Sequence, residues 1–223
     1  AQINDVRFAQ SADVMYLVHP SHAVRTLTRT DHNAWAFATP TFTENTTPSL
    51  TGTDNHPSVV TFFEQRLVFA ATNNNPQTLF FSKNADYTNF TTGTGDNDAL
   101  IYTIASNKVN AIRYLSATRI LNIGTSGGEY VLTTTNGSPV TPTSTVIRKY
   151  SNYGCVNAEV VQVADVTLFA QRGARKVREF RYVGEVDVGG YTAPDITVLA
   201  EHLTEGGIEE FAFQQEPESI VWA

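Results

Sequence analysis

One pattern recurs along this chain: an apolar run, a short polar turn and a second apolar run. It occurs four times, each time after another short strand-like run, and the four copies span 14–29, 66–83, 119–134 and 166–182. A fifth copy begins at Ile208 and is incomplete. A repeat at a fixed period indicates a fold built from similar units, so this pattern constrains the fold more than any single motif does.

The period can be measured from equivalent positions in the middle run, which are Tyr16, Phe69, Asn122, Phe169 and Trp222. Successive positions are 53, 53, 47 and 53 residues apart. A period of about 50 residues with several strands in each unit is typical of a β-propeller, whose units are small antiparallel sheets called blades. We therefore predict an all-β fold, a β-propeller of four-stranded blades. A β-sandwich or barrel, which also places a turn after every strand, is the alternative.

The repeat also predicts the organisation of the domain. The chain would be a single propeller domain or a fragment of one, with blade units near 1–50, 57–105, 108–150, 158–184 and, incomplete, 208–223. Outer fourth strands are predicted at 34–40, near 87–90 and at 144–150. The last copy stops within an expected strand, which would leave backbone groups unpaired, so we expect the native polypeptide to continue past Ala223.

The inner strands of such blades should be apolar on both faces, because neighbouring blades cover them. The runs 67–71, 120–124 and 166–170 have this character. The polar stretch between two such runs, Asn73–Pro76, is predicted to be a hairpin turn, since asparagine tolerates left-handed φ and proline fixes its own φ. Serine at Asn73 and Asn74 should then leave folding intact.

One segment has a helical pattern instead. Pro194 and Asp195 stand where the start of a helix tolerates a proline and favours an acid. The apolar residues that follow lie on one stripe of a helix, and they are Ile196, Leu199, Ala200 and Leu203. Gly206 and Gly207 then end the pattern. We predict a short helix near 194–204, inserted between the fourth and fifth units.

Composition restricts the class of protein. Apolar residues make up 41% of the 223 residues and the net charge is −7, so the chain is globular and unsuited to gripping nucleic acid through its phosphates. The apolar runs are shorter than the roughly 20 residues that span a membrane. Cys155 is the only cysteine, which excludes an internal disulfide and is typical of a small buried side chain.

No motif in the sequence predicts catalysis, a cofactor or a metal. His19 and His22 are three residues apart with Asp31 beyond them, but Pro20 makes this segment a hairpin turn, so a zinc site is not favoured. A glycosidase would need two facing carboxylates, and the sequence nominates no pair. We predict that the chain is not an enzyme.

The one basic cluster of this acidic chain lies at 171–181 and contains Arg172, Arg175, Lys176, Arg178 and Arg181. Arg178 and Arg181 are an odd number of residues apart in a predicted strand, so they should face opposite sides. A salt-bridged contact with a neighbouring acidic subunit is favoured over a phosphate contact.

Several segments, in this order, resemble the propeller region of tail tubular or nozzle-type proteins of short-tailed, podovirus-like bacteriophages. They are SADVMYLVHPSHAVRTLTR (11–29), VVTFFEQRLVFAATNNNPQTLFFSK (59–83), DNDALIYTIASNKVNAIRYL (96–115), GTSGGEYVL (124–132), LFAQRGARKVREF (168–180) and APDITVLAEHLTEGGI with QQEPESIVWA (193–208 and 214–223). The resemblance covers nearly the whole chain, although no single segment is chemically diagnostic.

This resemblance implies a structural protein of the virion, made in the host cytoplasm and built into the tail. It implies a homo-hexamer that binds adaptor and tail fibre or spike proteins, forms part of the DNA-ejection conduit, and needs no cofactor. An acidic wall would repel DNA phosphates during passage. The loop-borne acids that are candidates for such a wall are Glu44, Asp54, Asp96, Asp98, Glu205, Glu209 and Glu210.

The alternative from another class is a host-surface propeller that binds or cleaves glycans. A glycan binder should expose aromatic platforms, for which Tyr87, Tyr153 and Tyr191 are candidates. A glycan-cleaving enzyme should bring two carboxylates together in a pocket.

Overall fold

A computed structural model describes residues 3–45, 47–106, 108–184 and 190–223. The chain divides into two compact units, of which the first comprises Ala1–Ile112 and Thr133–Val146 and the second comprises Arg113–Leu132 and Ile147–Ala223. The helices among the described residues are 3₁₀ turns at Ile3–Asp5, Thr135–Gly137 and Glu201–Thr204. None of the described helices is long and apolar enough to cross a membrane.

Most of the described strands form four sheets of four strands each. The first has the order β1 (Arg7–Ser11), β2 (Val14–His19), β3 (His22–Asp31) and β4 (Ala34–Ala38). The second has the order β10 (Leu100–Thr103), β8 (Thr78–Phe81), β7 (Arg66–Thr72) and β6 (Pro57–Phe63). The third has the order β11 (Ile112–Ala117), β12 (Leu121–Thr125), β13 (Gly128–Thr134) and β14 (Thr145–Ser151). The fourth has the order β15 (Val161–Val163), β16 (Val166–Ala170), β17 (Val177–Val183) and β18 (Gly190–Thr192).

The described part of the chain also contains two sheets of two strands each. Strands β19 (Ala212–Gln214) and β20 (Ile220–Trp222) form an antiparallel pair, and β5 (Thr43–Glu44) pairs in parallel with β9 (Asn89–Phe90). The prediction of an all-β protein with four-stranded antiparallel sheets is therefore confirmed.

The second sheet corrects one predicted outer strand. Residues 87–90 do not form its fourth strand, since Asn89 and Phe90 pair with β5 instead. The fourth strand is β10, which pairs antiparallel with β8 from Leu100 to Thr103. Both Leu100–Thr103 and residues 87–90 hold three β-branched or aromatic residues, so intrinsic strand preference does not distinguish them and tertiary pairing decides.

Apolar burial on both faces of the inner strands is confirmed. Every residue of β7 and of β12 is buried, as are four of the five residues of β16. The core of the first unit surrounds Phe69, whose ring contacts Tyr16, Phe42 and Phe90 at centroid distances of 6.5, 5.5 and 5.7 Å. A separate core in the second unit surrounds Phe169 and Phe180. These aromatic centres hold the sheets without any disulfide.

The predicted helix at 194–204 is wrong, apart from the single 3₁₀ turn Glu201–Thr204. The backbone at the start of this segment pairs with β17, because the N–H of Glu179 donates to the carbonyl of Pro194 at 3.1 Å and the N–H of Ile196 donates to that of Val177 at 3.0 Å. The apolar stripe is not packed against the described residues, since Leu199 is 94% exposed and Leu203 is 75% exposed. An amphipathic pattern without a buried face does not stabilise a short helix.

The Asn73–Pro76 stretch forms the turn between β7 and β8. The Asn73 side chain also ties two other segments, because its amide donates to the carbonyl of Pro20 at 2.9 Å and its oxygen accepts from the N–H of His56 at 3.0 Å. By contrast, Asn74 uses its backbone N–H, which donates to the side chain of Asn55.

We expect Asn73→Ala to lower the free energy of unfolding by about 1 kcal/mol, because two partly exposed hydrogen bonds are lost. Asn74→Ala is the matched control and should change it by less than about 0.5 kcal/mol. Urea denaturation of both variants measures the difference. Equal stability of the two variants would show that the Asn73 tether contributes nothing.

Candidate interaction surfaces

The two faces of the first sheet have different environments. The register pairs Leu27 with Phe37, Arg29 with Trp35, and Leu17 with Phe8 and Arg25, so all these side chains share one face. The opposite face carries Tyr16, Val18 and Val24, which lie in the core. Cross-strand partners in an antiparallel sheet point to the same side. The sheet is therefore packed on one side only.

We call the uncovered side the open face; it comprises Phe8, Met15, Leu17, Leu27, Trp35 and Phe37 with Arg25 and Arg29. Phe8, Trp35 and Phe37 are 53%, 58% and 64% exposed. Arg25 lies over the Phe37 ring at 5.7 Å from its centroid, and Arg29 pairs with Asp13 at 3.5 Å. Three large exposed aromatic side chains on one sheet face are typical of a surface that binds another protein.

A second uncovered sheet face lies in the second unit. Phe213 and Val221 of the β19–β20 pair pack on the core around Leu168, Ile208 and Phe211. The other side of this pair, which we call the terminal face, comprises Ala212, Gln214, Ile220 and Trp222. Trp222 is 57% exposed. A two-stranded sheet covered on one side only is a marginal structure, so the terminal face is suited to further packing.

The predicted basic cluster does not form one uniform patch. Lys176 contacts Asp195 at 2.8 Å and Glu201 at 3.2 Å, which anchors the segment that follows β18. Arg178 is buried, donates to the side chain of Gln171 at 2.7 Å and to the carbonyl of Ala193 at 2.5 Å, and lies 3.4 Å from the Tyr153 ring centroid. These two cations therefore have roles within the chain.

The remaining members of that cluster, Arg172, Arg175 and Arg181, lie at the surface. Arg181 contacts Glu179 at 3.5 Å. The burial of Arg178 and the exposure of Arg181 agree with their predicted placement on opposite sides of a strand. A contact between this cluster and a neighbouring subunit stays a prediction, and it now falls on the three surface arginines.

Glu129 is a fully buried carboxyl group of the second unit, and the sequence did not single it out. It lies in β13 with none of its surface exposed, and the Ser151 hydroxyl donates to its Oε2 atom. The backbone N–H groups of Tyr153 and Gly154 also point to the carboxylate. Its Oε1 atom has no hydrogen-bond partner among the described residues. Glu129 therefore stabilises the segment that runs from the end of β14 to Cys155.

Burial raises the pKa of Glu129 to about 7, although Arg178 and Lys149 favour the charged form. The same environment raises the pKa of the Cys155 thiol and of the Tyr114 hydroxyl, again mainly through burial. A carboxyl group with a pKa near neutrality can act as a general acid or base when a substrate reaches it. The complete burial of Glu129 argues instead for a structural role.

Two of the loop-borne acids named above, Glu44 and Asp98, bind other groups of the chain. The Glu44 carboxylate accepts hydrogen bonds from the Ser49 hydroxyl at 2.6 Å, the Leu50 N–H at 2.7 Å and Thr51. Asp98 contacts Lys83 at 3.1 Å and accepts from the Gly95 N–H at 3.0 Å. Both groups therefore stabilise loops. The other candidates for an acidic wall are exposed, and they are Asp54, Asp96, Glu205, Glu209 and Glu210.

A cleft of about 220 Å³ in the first unit is lined by residues that include Val24, Phe42, Leu50, Asn55 and His56. Among the described residues that line it there is no carboxylate, so this lining does not supply the pair of acids that glycoside hydrolysis requires. The rings of His19 and His22 lie next to each other, tilted by 39°, with 4.8 Å between their centroids. In the part of the chain that the structure describes, no group of three His, Cys, Asp or Glu side chains could hold a metal ion.

The proposed aromatic platforms are engaged in packing. Tyr87 contacts Phe62 edge-on at 5.0 Å, and Tyr191 stacks on Phe180 at 5.2 Å. Tyr153 is 41% exposed, but Arg178 covers one face of its ring. A sugar needs an open aromatic face on which to stack, so these three tyrosines give little support to glycan binding.

The fold and these surfaces define an all-β protein whose buried ionisable groups stabilise its loops and whose uncovered sheet faces carry the exposed aromatic side chains Phe8, Trp35, Phe37 and Trp222. Neither the scan against protein-family models nor the search of curated proteins finds a match to this chain.

Proposed function

We propose that this chain is a structural component of a bacteriophage tail, a nozzle or tail-tube subunit whose sheets are blades of a β-propeller. The observation that carries the proposal is the open face, where Phe8, Trp35 and Phe37 remain more than half exposed on a sheet whose other side is packed. Such a face favours assembly with another protein over catalysis.

The buried ionisable groups support the same conclusion. Arg66 is 2% exposed and donates to three backbone carbonyls, those of Ser82, Asp96 and Asp98, at 2.8, 2.6 and 2.7 Å. Glu129 and Arg178 likewise bind the segments around them. An enzyme would orient such groups towards a pocket, whereas these groups fix loops between strands. Sheets braced in this way suit a conduit that must keep its shape while DNA passes.

The resemblance of the sequence to nozzle-type tail proteins gives the proposal its place in a virion. In this proposal six copies form a ring, the surface residues Arg172, Arg175 and Arg181 face an acidic neighbour, and adaptor and fibre proteins bind the assembled ring. The net charge of −7 would let DNA pass without adsorbing.

Quantitative mass spectrometry of purified virions from the phage that encodes this chain tests the proposal. We expect the chain in about six copies per particle, retained after a high-salt wash because apolar contacts resist screening. Purified chain should neither retain nor shorten host polysaccharide. Absence from virions, or depolymerisation of host polysaccharide, would instead favour a host-surface glycan-binding or glycan-cleaving protein.

A further inference from the structure

The open face and the terminal face are both uncovered in the chain, and their surroundings carry opposite charge. Residues 7–38, whose four strands form the open face, contain three arginines and two aspartates, a net charge of +1. Residues 203–223, which contain the terminal face, have five glutamates and neither lysine nor arginine, a net charge of −5. Complementary charge steers association and fixes its register.

The shapes of the two faces are also compatible. Each is one side of an antiparallel sheet whose other side is already packed on a core. Two such faces stack with their side chains interdigitated at a separation of about 10 Å. Trp222 would supply a large anchor, and aromatic anchors contribute most of the binding energy at protein interfaces.

We infer that the open face of one copy binds the terminal face of a second copy. Trp222 of the second copy packs among Phe8, Trp35 and Phe37, and glutamates beside its terminal face lie near Arg25 and Arg29. The contact joins two different surfaces, so each end of a bound pair retains one free face and the contact repeats into a ring or a filament. That this contact occurs in a phage tail rests on the proposed function. The contact itself can be tested with the purified chain alone.

Sedimentation velocity of the purified chain and of two variants tests the inference. Phe37→Glu removes an aromatic ring and places an acid opposite the acidic partner, and Trp222→Lys removes the other anchor and places a base opposite the arginines. Both positions are more than half exposed, so the melting temperatures should remain near that of the wild type. Each variant should weaken self-association at least tenfold.

Val109→Glu, at a position that is 74% exposed and outside both faces, is the matched control and should associate as the wild type does.

Mixing the two variants gives the decisive measurement. Phe37→Glu leaves the terminal face intact and Trp222→Lys leaves the open face intact, so a 1:1 mixture should form a heterodimer although each variant alone is monomeric. Several results would overturn the inference: a monomeric wild type at about 100 μM, a mixture that stays monomeric, or a Trp222→Lys variant that still self-associates. The last result would mean that the open face pairs with itself. Every one of these outcomes is independent of whether the chain occurs in virions.

Discussion

Replacing Gly124 by alanine is expected to destabilise the protein by about 3 kcal/mol, because the added methyl group would overlap the ring of Tyr114. Tyr114 is 3% exposed and packs against Phe169 at 5.9 Å between ring centroids, so the ring has no space into which to move. Gly124 lies in β12, where every residue is buried. Thermal or urea denaturation of the variant measures the loss.

Gly206→Ala is the matched control for this prediction, since a methyl group there meets no atom within 4 Å. Its stability should stay within about 0.5 kcal/mol of the wild type. Combining Gly124→Ala with Tyr114→Val should recover part of the loss by making room for the methyl group. If Gly124→Ala alone were as stable as the wild type, the close packing of β11 on β12 would be refuted.

The second large effect is a pH dependence that originates at Glu129. The folded chain keeps the proton of this carboxyl group up to a pH of about 7, whereas an unperturbed glutamate has a pKa of 4.5. Between these values the unfolded state binds fewer protons than the folded state, so stability falls as pH rises. The difference between these two pKa values corresponds to a loss of roughly 3 kcal/mol in the free energy of unfolding. The loss is complete once the pH exceeds the pKa of Glu129 in the folded state.

Glu129→Gln should remove this contribution, because the amide stays neutral at every pH. Relative to the wild type, the variant should gain about 3 kcal/mol of stability between about pH 4 and about pH 8. Urea denaturation at several pH values measures the difference. Glu209→Gln, at an exposed acid, is the control and should follow the wild type. If the stabilities of the wild type and of Glu129→Gln changed in parallel with pH, Glu129 would already be ionised in the folded chain.

The sequence predicted those parts of the fold that depend on regular patterning. Runs of apolar residues around Phe69 and Phe169 predicted strands buried on both faces, and the recurring turns predicted where hairpins form. Periodicity predicts these features because both local preference and burial act in the same direction.

Two predictions failed where local pattern and tertiary contact disagree. The stripe from Ile196 to Leu203 has helical spacing, but Lys176 and the backbone of β17 hold this segment in another conformation. Residues 87–90 resembled an outer strand, yet Asn89 and Phe90 pair in parallel with β5. In both cases the conformation of the segment is determined by a hydrogen-bonding partner that is distant in sequence or is a backbone group. The spacing of apolar residues gives no information on either kind of partner.

The sequence pattern also did not predict the candidate interaction surfaces. Trp35 and Phe37 belong to a predicted strand, but alternation alone does not tell which face of a sheet is covered. The buried positions of Glu129 and Arg66 were missed because their partners are mostly backbone groups and hydroxyls, not opposite charges. An acid between Gly128 and Tyr130 in an otherwise apolar run was the available signal for Glu129.

Electron microscopy of intact virions tests most directly whether this chain is a structural subunit of a phage tail. We predict a six-fold ring of density at the tail into which the four-stranded sheets of this chain fit, with density over the open face. A tail whose ring is fully occupied by other proteins, together with a monodisperse monomer of this chain that binds or cleaves host polysaccharide, would contradict the proposed function.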